Sequence, residues 1–230
     1  MNCLYCHEKQ VKEVNWVNLF FSEKKSELCT NCQEKLSFIK EQICEACGRP
    51  TDAKICGDCL HWQSIYKNKE QLDPLKYNRS IYIYNDFMRE IIVKWKYQGD
   101  YELGNIFRDI FRKYFLQYFS MLPKDAIIVP IPLSEERKRE RAFNQAFMLA
   151  SFLPWKVEDI LTREHREKQA KKSRLERMLG DNPFSLIKPL NKTVVIVDDI
   201  YTTGTTLRHA AELLKKNGCP VVYSYTLIRG

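Results

Sequence analysis

The sequence predicts an α/β protein, a mainly parallel sheet flanked by helices, preceded by a small cysteine-rich metal-binding unit. Three observations carry this. Val194–Val197 is an unbroken β-branched run, which suits a parallel strand buried on both faces. Two acids, a loop of small hydroxyl residues and a helix-period stripe follow it, the strand–turn–helix order of an α/β unit. Eight of the nine cysteines stand as four C-x-x-C pairs within the first 60 residues.

The pairs are Cys3/Cys6, Cys29/Cys32, Cys44/Cys47 and Cys56/Cys59. Thiolates two residues apart reach one ion from a tight knuckle, so eight ligands predict about two tetrahedral, structural zinc ions. Gly48, directly after Cys47, suits a knuckle that needs positive φ. The simplest assembly joins the first two pairs and the last two; an interleaved cross-brace satisfies the same spacing. A disulfide scaffold would need an oxidising compartment. Cys3 and Cys6 stand where a secretion leader would lie, and no apolar run reaches membrane-spanning length. A cytoplasmic chain without a membrane span is therefore expected. His7 and His61 adjoin ligand cysteines and read as surface residues, and Cys219 as a small buried hydrophobe. The expected organisation is a double zinc-binding domain over 1–63, a polar linker over 64–80 and the α/β domain over 81–230.

Within that domain Ile81–Tyr84 reads as a strand, and Asn85 or Asp86 caps a helix with Met88, Ile91, Ile92 and Trp95 as its stripe. After a Gly99–Asp100 turn, Leu103, Ile106, Phe107, Ile110, Tyr114 and Phe115 predict one longer helix with core aromatics. The next strand lies within Asp125–Leu133, stopped by Pro130 and Pro132. A charged loop follows, its Arg137, Lys138, Arg139 and Arg141 set against Glu135, Glu136 and Glu140. The helix after it turns Phe143, Ala146, Phe147 and Ala150 inward. Val157–Leu161 predicts a strand. Arg163–Arg177 carries seven Lys/Arg against three Glu and reads equally as a mobile lid or a solvated charged helix. The last helix ends at Lys215, Lys216 and Gly218, before Pro220 and a final strand over Val221–Ile228.

The chemistry concentrates where the Val194–Val197 strand ends. Leu207, Ala210, Ala211 and Leu214 mark a helix whose N-terminus offers free N–H groups and a positive dipole end to an anion. Gly204 permits close approach of a phosphate, and the hydroxyls of Thr202, Thr203, Thr205 and Thr206 add donors. Asp198 and Asp199 are adjacent carboxylates that repel unless hydroxyls or a divalent cation partner them. A ribose 5-phosphate satisfies both halves of the site.

This string resembles the ribose-phosphate signature of type I phosphoribosyltransferases. That resemblance makes Asp198 and Asp199 the acids on the ribose, stabilising it as pyrophosphate leaves, and Thr202, Thr203, Gly204, Thr205 and Thr206 the 5-phosphate loop. It implies phosphoribosyl pyrophosphate with Mg²⁺ as ligand, its pyrophosphate near Pro132, Leu133 and Ser134 with Arg137. Lys96-Tyr97-Gln98-Gly99-Asp100, Pro130-Ile-Pro-Leu133, the basic run, Arg141-Ala-Phe-Asn-Gln-Ala146, and Gln169, Ser173, Glu176 and Arg177 resemble the ComF family, which joins a zinc domain to a type I phosphoribosyltransferase-like domain. One departure is Ala142, where that family has glycine; alanine disfavours positive φ, so a different local backbone is expected. The family resemblance implies a competence role, handling incoming single-stranded DNA with a DNA-uptake helicase. Arg137, Lys138, Arg139, Arg141, Lys168, Lys171, Lys172 and Arg174 are its candidate phosphate contacts, consistent with a net charge of +8. The alternative is an active phosphoribosyltransferase of nucleotide metabolism.

Overall fold

Val194–Tyr201 (β6) is the middle strand of a five-stranded, all-parallel sheet. In order across the sheet its companions are Asn78–Ile83 (β1), Val222–Arg229 (β7), β6, Ile127–Pro130 (β2) and Lys156–Val157 (β3). The computed structural model describes residues 2–10, 26–40, 42–163 and 182–230. Val194 to Val197 are wholly buried, as a β-branched run between two helical layers must be. The alternation along the strand divides the core in two. Val195 and Val197 face Asp86–Tyr97 (α3), the 3₁₀ turn Glu102–Phe107 and Arg108–Tyr118 (α4), through Trp95, Phe107, Phe111 and Phe115. Val194 and Ile196 face Thr205–Lys216 (α7) through Leu207, Ala210, Ala211 and Leu214. A separate antiparallel pair, Leu161–Arg163 (β4) and Phe184–Leu186 (β5), stands beside the sheet.

Several elements differ from the sequence-based expectation, each for a local reason. The single helix expected from Leu103 divides into the 3₁₀ turn and α4. The charged loop after Pro132 is a two-turn helix, Glu135–Arg141 (α5). It lacks an apolar stripe but has an N-cap, Ser134, whose Oγ accepts the Arg137 N–H at 3.4 Å. Glu135 and Glu136 lie in its first turn and Lys138, Arg139 and Arg141 in its last, matching the helix dipole, with Glu140 as the exception. Ala142 closes α5 in the left-handed region at φ 60° despite its Cβ, so the backbone expected to change does not. In the next helix, Gln145–Ser151 (α6), Ala146 and Ala150 are buried, whereas Phe147, expected inward, is 45% exposed. The strand expected over Val157–Leu161 is divided between β3 and β4.

At the N-terminus Thr30–Glu34 (α1) and Gly57–Asn68 (α2) each start directly after a ligand cysteine. α2 runs past residue 63 because Trp62 and Tyr66 lie against the α7 side of the domain, Tyr66 donating to Glu212 at 2.8 Å. The stretch 64–80 is thus helical to Asn68 and already strand from Asn78. Of the basic segment 163–177, only Arg163 lies among the described residues. No helix among the described residues is long and apolar enough to cross a membrane.

Candidate functional site

The strand order sets the site. β2 lies next to β6 in parallel with Pro130 level with Val197, and the Ile131 N–H donates to the Val197 carbonyl at 2.9 Å. The segment Pro132–Ser134 and the acids Asp198 and Asp199 therefore emerge side by side at the C-terminal edge of the sheet, where open α/β sheets carry ligands.

The two acids differ in charge. Lys96, in the last turn of α3 and almost buried, forms an ion pair with Asp199. Burial pushes Asp199 up, but the Lys96 ammonium outweighs this and holds it below the usual carboxylate range. Burial, and then the Asp199 charge, push Asp198 up to about 8. The Asp198 carboxylate accepts the Asp199 N–H at 2.9 Å. The surroundings thus favour the protonated form of Asp198 and the ionised form of Asp199. Arg141 adds to the cationic side: it depresses Asp199 further, and it is buried, donating to the Tyr97 hydroxyl at 3.1 Å and to Gln145 at 3.4 Å. Arg163, stacked over Phe184, is held below its ordinary value by burial and by Arg137, with Asp198 opposing. Arg163, Arg137 and Asp198 therefore share one electrostatic neighbourhood.

The loop expected to hold a phosphate joins the end of β6 to the start of α7. Gly204 is the N-cap of α7 at φ 80°, and the Thr203 and Thr205 hydroxyls lie 2.9 Å apart. Gly204 has a second reason to be glycine. A Cβ there would collide with the Tyr201 hydroxyl and the Arg208 guanidinium, both buried beneath the loop.

In the segment expected to meet pyrophosphate, Leu133 is buried, and the Ser134 hydroxyl is used in capping α5. Arg137, Lys138 and Arg139 are exposed on α5, Lys138 paired with Glu135 at 2.8 Å, while Arg141 turns inward. Lys168, Lys171, Lys172 and Arg174 lie outside the described residues. A cavity of about 470 Å³ adjoins this segment, its lining including Pro132, Glu135, Phe143, Asn144 and Arg163.

Sequence reasoning did not assign Lys96, Arg141 or Arg163 to the acid pair. Only the Lys96-Tyr97-Gln98-Gly99-Asp100 string pointed that way, and it carried no role.

The cysteines resolve into Cys3, Cys6, Cys29, Cys32 and Cys44, Cys47, Cys56, Cys59, all four sulfurs of each set within 4.8 Å of one another. Cys6 and Cys29 are 3.7 Å apart and Cys47 and Cys56 3.6 Å. Four thiolates at about 2.3 Å from a tetrahedral zinc stand about 3.8 Å apart, so both sets fit the ion. The pairing is sequential, not interleaved. Gly48 sits in the second knuckle at φ 71°. Neither histidine joins a cluster, and Cys219 is buried apart from both.

Fold and site together define a zinc-ribbon protein with a domain of the phosphoribosyltransferase type. Comparison with known families agrees. The double zinc ribbon domain matches residues 1–60 and the phosphoribosyl transferase domain residues 145–230. The competence protein ComFC of Bacillus subtilis is 38% identical over 99% of this chain and 94% of its own length. The chain belongs to the ComF family of competence proteins. Similarity extends to the competence protein ComFC of Streptococcus pneumoniae, 28% identical over the whole of both chains. The DNA utilization protein YhgH of Escherichia coli K12 is 27% identical over 88% of this chain and 90% of that one. Among solved structures, adenine phosphoribosyltransferase of Saccharomyces cerevisiae matches 56% of this chain and 69% of that one at 16% identity, with a TM-score of only 0.36.

Proposed function

We propose that this protein binds phosphoribosyl pyrophosphate, or a ribose phosphate, with Mg²⁺ at the C-terminal end of β6, and that it serves the handling of incoming single-stranded DNA in natural transformation. The observation that carries the ligand reading is the union, in one strand–loop–helix, of a helix N-terminus capped by Gly204 with an adjacent acid pair of which only Asp199 is ion-paired to Lys96. The 5-phosphate lies against the N–H groups and hydroxyls of Thr202–Thr206. Asp199 accepts a ribose hydroxyl, and Asp198 gives up its proton as the ribose and cation arrive. Asp198 and Asp199 are the carboxylates that would stand nearest a bound Mg²⁺, which would supply positive charge beside the phosphate oxygens; the chain's own residues orient the sugar. Exposed Arg137, Lys138 and Arg139 on α5 supply phosphate contacts for a nucleic-acid strand beside the site. The names of the relatives, competence protein and DNA utilization protein, support the biological setting.

Equilibrium dialysis and thermal shift with phosphoribosyl pyrophosphate, with and without Mg²⁺, test the ligand reading. Binding is expected only with the cation, and Asp199→Asn weakens it by about 1.5–3 kcal/mol. Binding releases a proton at pH 7, read as a buffer-dependent heat. No binding with Mg²⁺ would falsify the phosphate-site reading. Pyrophosphate release in the presence of candidate bases or amines would move the assignment to an active phosphoribosyltransferase. The DNA arm is read separately. Replacing Arg137 and Arg139 by alanine lowers both single-strand affinity and its salt slope, by about two in a log–log plot at most.

A further inference from the structure

The second cysteine cluster is wired into the phosphate loop. Arg229, the last residue of β7 and 3% exposed, spans the gap. Its Nη2 lies 3.6 Å from the sulfur of Cys47, while its Nη1 donates to the carbonyls of Tyr201 at 3.1 Å and Thr202 at 2.9 Å. The guanidinium also stacks on the Tyr201 ring, 4.7 Å from its centroid. Trp62, on the helix that supplies Cys59, reaches the next carbonyl: its Nε1 donates to Thr203 at 2.8 Å. The Trp62 ring carries Arg208, whose Nη1 donates to the Tyr201 hydroxyl at 2.8 Å and whose other side pairs with Asp73.

Three successive carbonyls, of Tyr201, Thr202 and Thr203, thus accept from Arg229, a β7 residue that touches the ribbon through Cys47, and from Trp62 of the ribbon's own helix; the Tyr201 carbonyl also accepts the Gly230 N–H at 2.9 Å. In a trans peptide the C=O of one residue and the N–H of the next point in opposite directions. Pinning these carbonyls toward the ribbon turns the N–H groups of Thr202, Thr203 and Gly204 away from it.

We propose that Arg229 and Trp62 are positioning residues through which metal occupancy of the Cys44, Cys47, Cys56, Cys59 site sets the affinity of the Thr202–Thr206 loop for a sugar phosphate. This rests on the phosphate-site reading above. With zinc bound, Cys47 is a fixed thiolate that orients the planar Arg229 fork, and Cys56 and Cys59 anchor the start of α2 and with it Trp62. Without zinc the knuckle and the helix start lose their anchor, and the Thr202 and Thr203 carbonyls lose fixed donors, while the Tyr201 carbonyl keeps the Gly230 N–H. The first cluster makes no such contact with the loop among the described residues. Coupling between two sites is reciprocal, so the ligand must also tighten the metal.

The test follows zinc loss to a chromophoric chelator, with and without saturating phosphoribosyl pyrophosphate and Mg²⁺; dialysis on the same samples reports ligand binding. Two release phases are expected, and ligand slows one of them by about tenfold. The other phase is the internal control for chelation by the ligand itself. Trp62→Phe keeps the ring over Arg208 but lacks the donor to Thr203; Arg229→Lys keeps the charge but lacks the fork. Both variants are expected to hold two zinc ions, bind ligand several-fold more weakly and show little or no slowing. If either fails to fold, the other carries the test. Ligand that binds while both phases keep their rates overturns the coupling and leaves the phosphate site standing. Trp62→Phe with wild-type affinity and wild-type slowing removes Trp62 from it. Ligand that does not bind overturns both readings.

Discussion

The two four-cysteine clusters share a ligand set, a spacing and a metal chemistry, yet they occupy different places in the molecule. The first encloses a small core of Cys3, Leu28 and Cys32, with Cys6 exposed. It rests on α3 through Tyr5, which meets Phe87 edge-on, lies under Lys94 and donates to Glu90, and through Lys35, whose ammonium lies over Phe87 and whose carbonyl accepts from the Asn85 amide. The second has all four cysteines buried, and they form one core with Leu75, Val129, Ile196, Leu207 and Leu214 of the sheet and α7. The first keeps its own small core and meets the α/β domain at the edge, where Phe38 bridges Tyr82 of β1; the second is a wall of that domain. A zinc ribbon's ligands therefore say what it binds, while its neighbours say what depends on it.

The largest expected effect breaks that symmetry directly. From sequence, Cys44→Ser is expected to unfold the cysteine-rich domain but leave residues 81–230 largely folded, because each unit is expected to have its own core. The shared core changes this for Cys44. A structural zinc contributes apparent free energy on the order of 10 kcal/mol, and at Cys44 that loss falls on the whole domain. Cys44→Ser is expected to lower the main thermal transition by more than about 10 °C or to prevent folding. Cys3→Ser is expected to lose one zinc and move that transition by less than about 3 °C. Metal analysis beside calorimetry reads both numbers. Equal shifts would mean that the first ribbon is also part of the domain's core.

A second effect concerns what the embedded cluster helps to hold in place. Two adjacent carboxylates meet at the end of β6, and burial and the Asp199 charge push Asp198 well above the usual carboxylate range. Its folded-state value of about 8 lies above the unfolded one near 3.9, so the folded chain keeps a proton that the unfolded chain has lost. Stability supplied by that proton is full at low pH and falls as pH rises from about 4 to about 8. Asp199 works the other way, its lowered value favouring the fold above the carboxylate range. Asp198→Asn removes the falling component, so the variant should unfold at higher temperature than the parent. The gain should be small near pH 5 and greatest near pH 8. A gap independent of pH, or a parent more stable at pH 8, would sink the assignment of the proton. A gain in stability with loss of ligand binding is the behaviour of a site strained for function.

The sequence made some of this architecture plain and hid the rest for physical reasons. Metal ligands are local: a C-x-x-C pair is legible because the knuckle is built within four residues. The Val194–Thr206 string is legible for the same cause, since strand, loop and helix N-terminus are contiguous. Partnerships across the fold were not legible. Lys96 meets Asp199, Arg229 meets Cys47 and Trp62 meets Thr203 only because parallel strands and α2 bring distant segments together. The α5 helix was hidden because an amphipathic stripe is the usual signal, and this helix is held by its cap and its charge order. The stretch 64–80 was read as a linker from its polarity, although Trp62 and Tyr66 already marked one apolar side of a continuing helix.

The smallest expected effect sharpens the comparison at single hydrogen bonds. Each ribbon offers one tyrosine hydroxyl to a glutamate on a domain helix. Tyr66 is 3% exposed and donates to Glu212 on α7 at 2.8 Å, whereas the Tyr5–Glu90 bond on α3 is exposed to solvent. Water replaces a lost bond at Tyr5 but is excluded at Tyr66, where removal leaves a charged acceptor short of a donor. Tyr66→Phe should cost about 1–2 kcal/mol, a fall of roughly 3–6 °C for a chain of this size. Tyr5→Phe should stay within about 0.5 kcal/mol. A double-mutant cycle with Glu212→Gln isolates the pair, with a coupling above about 0.5 kcal/mol expected, and the matching cycle with Glu90→Gln should give almost none. Comparable couplings at the two tyrosines would show that the first ribbon is held as firmly as the second, and its smaller core would then understate its attachment.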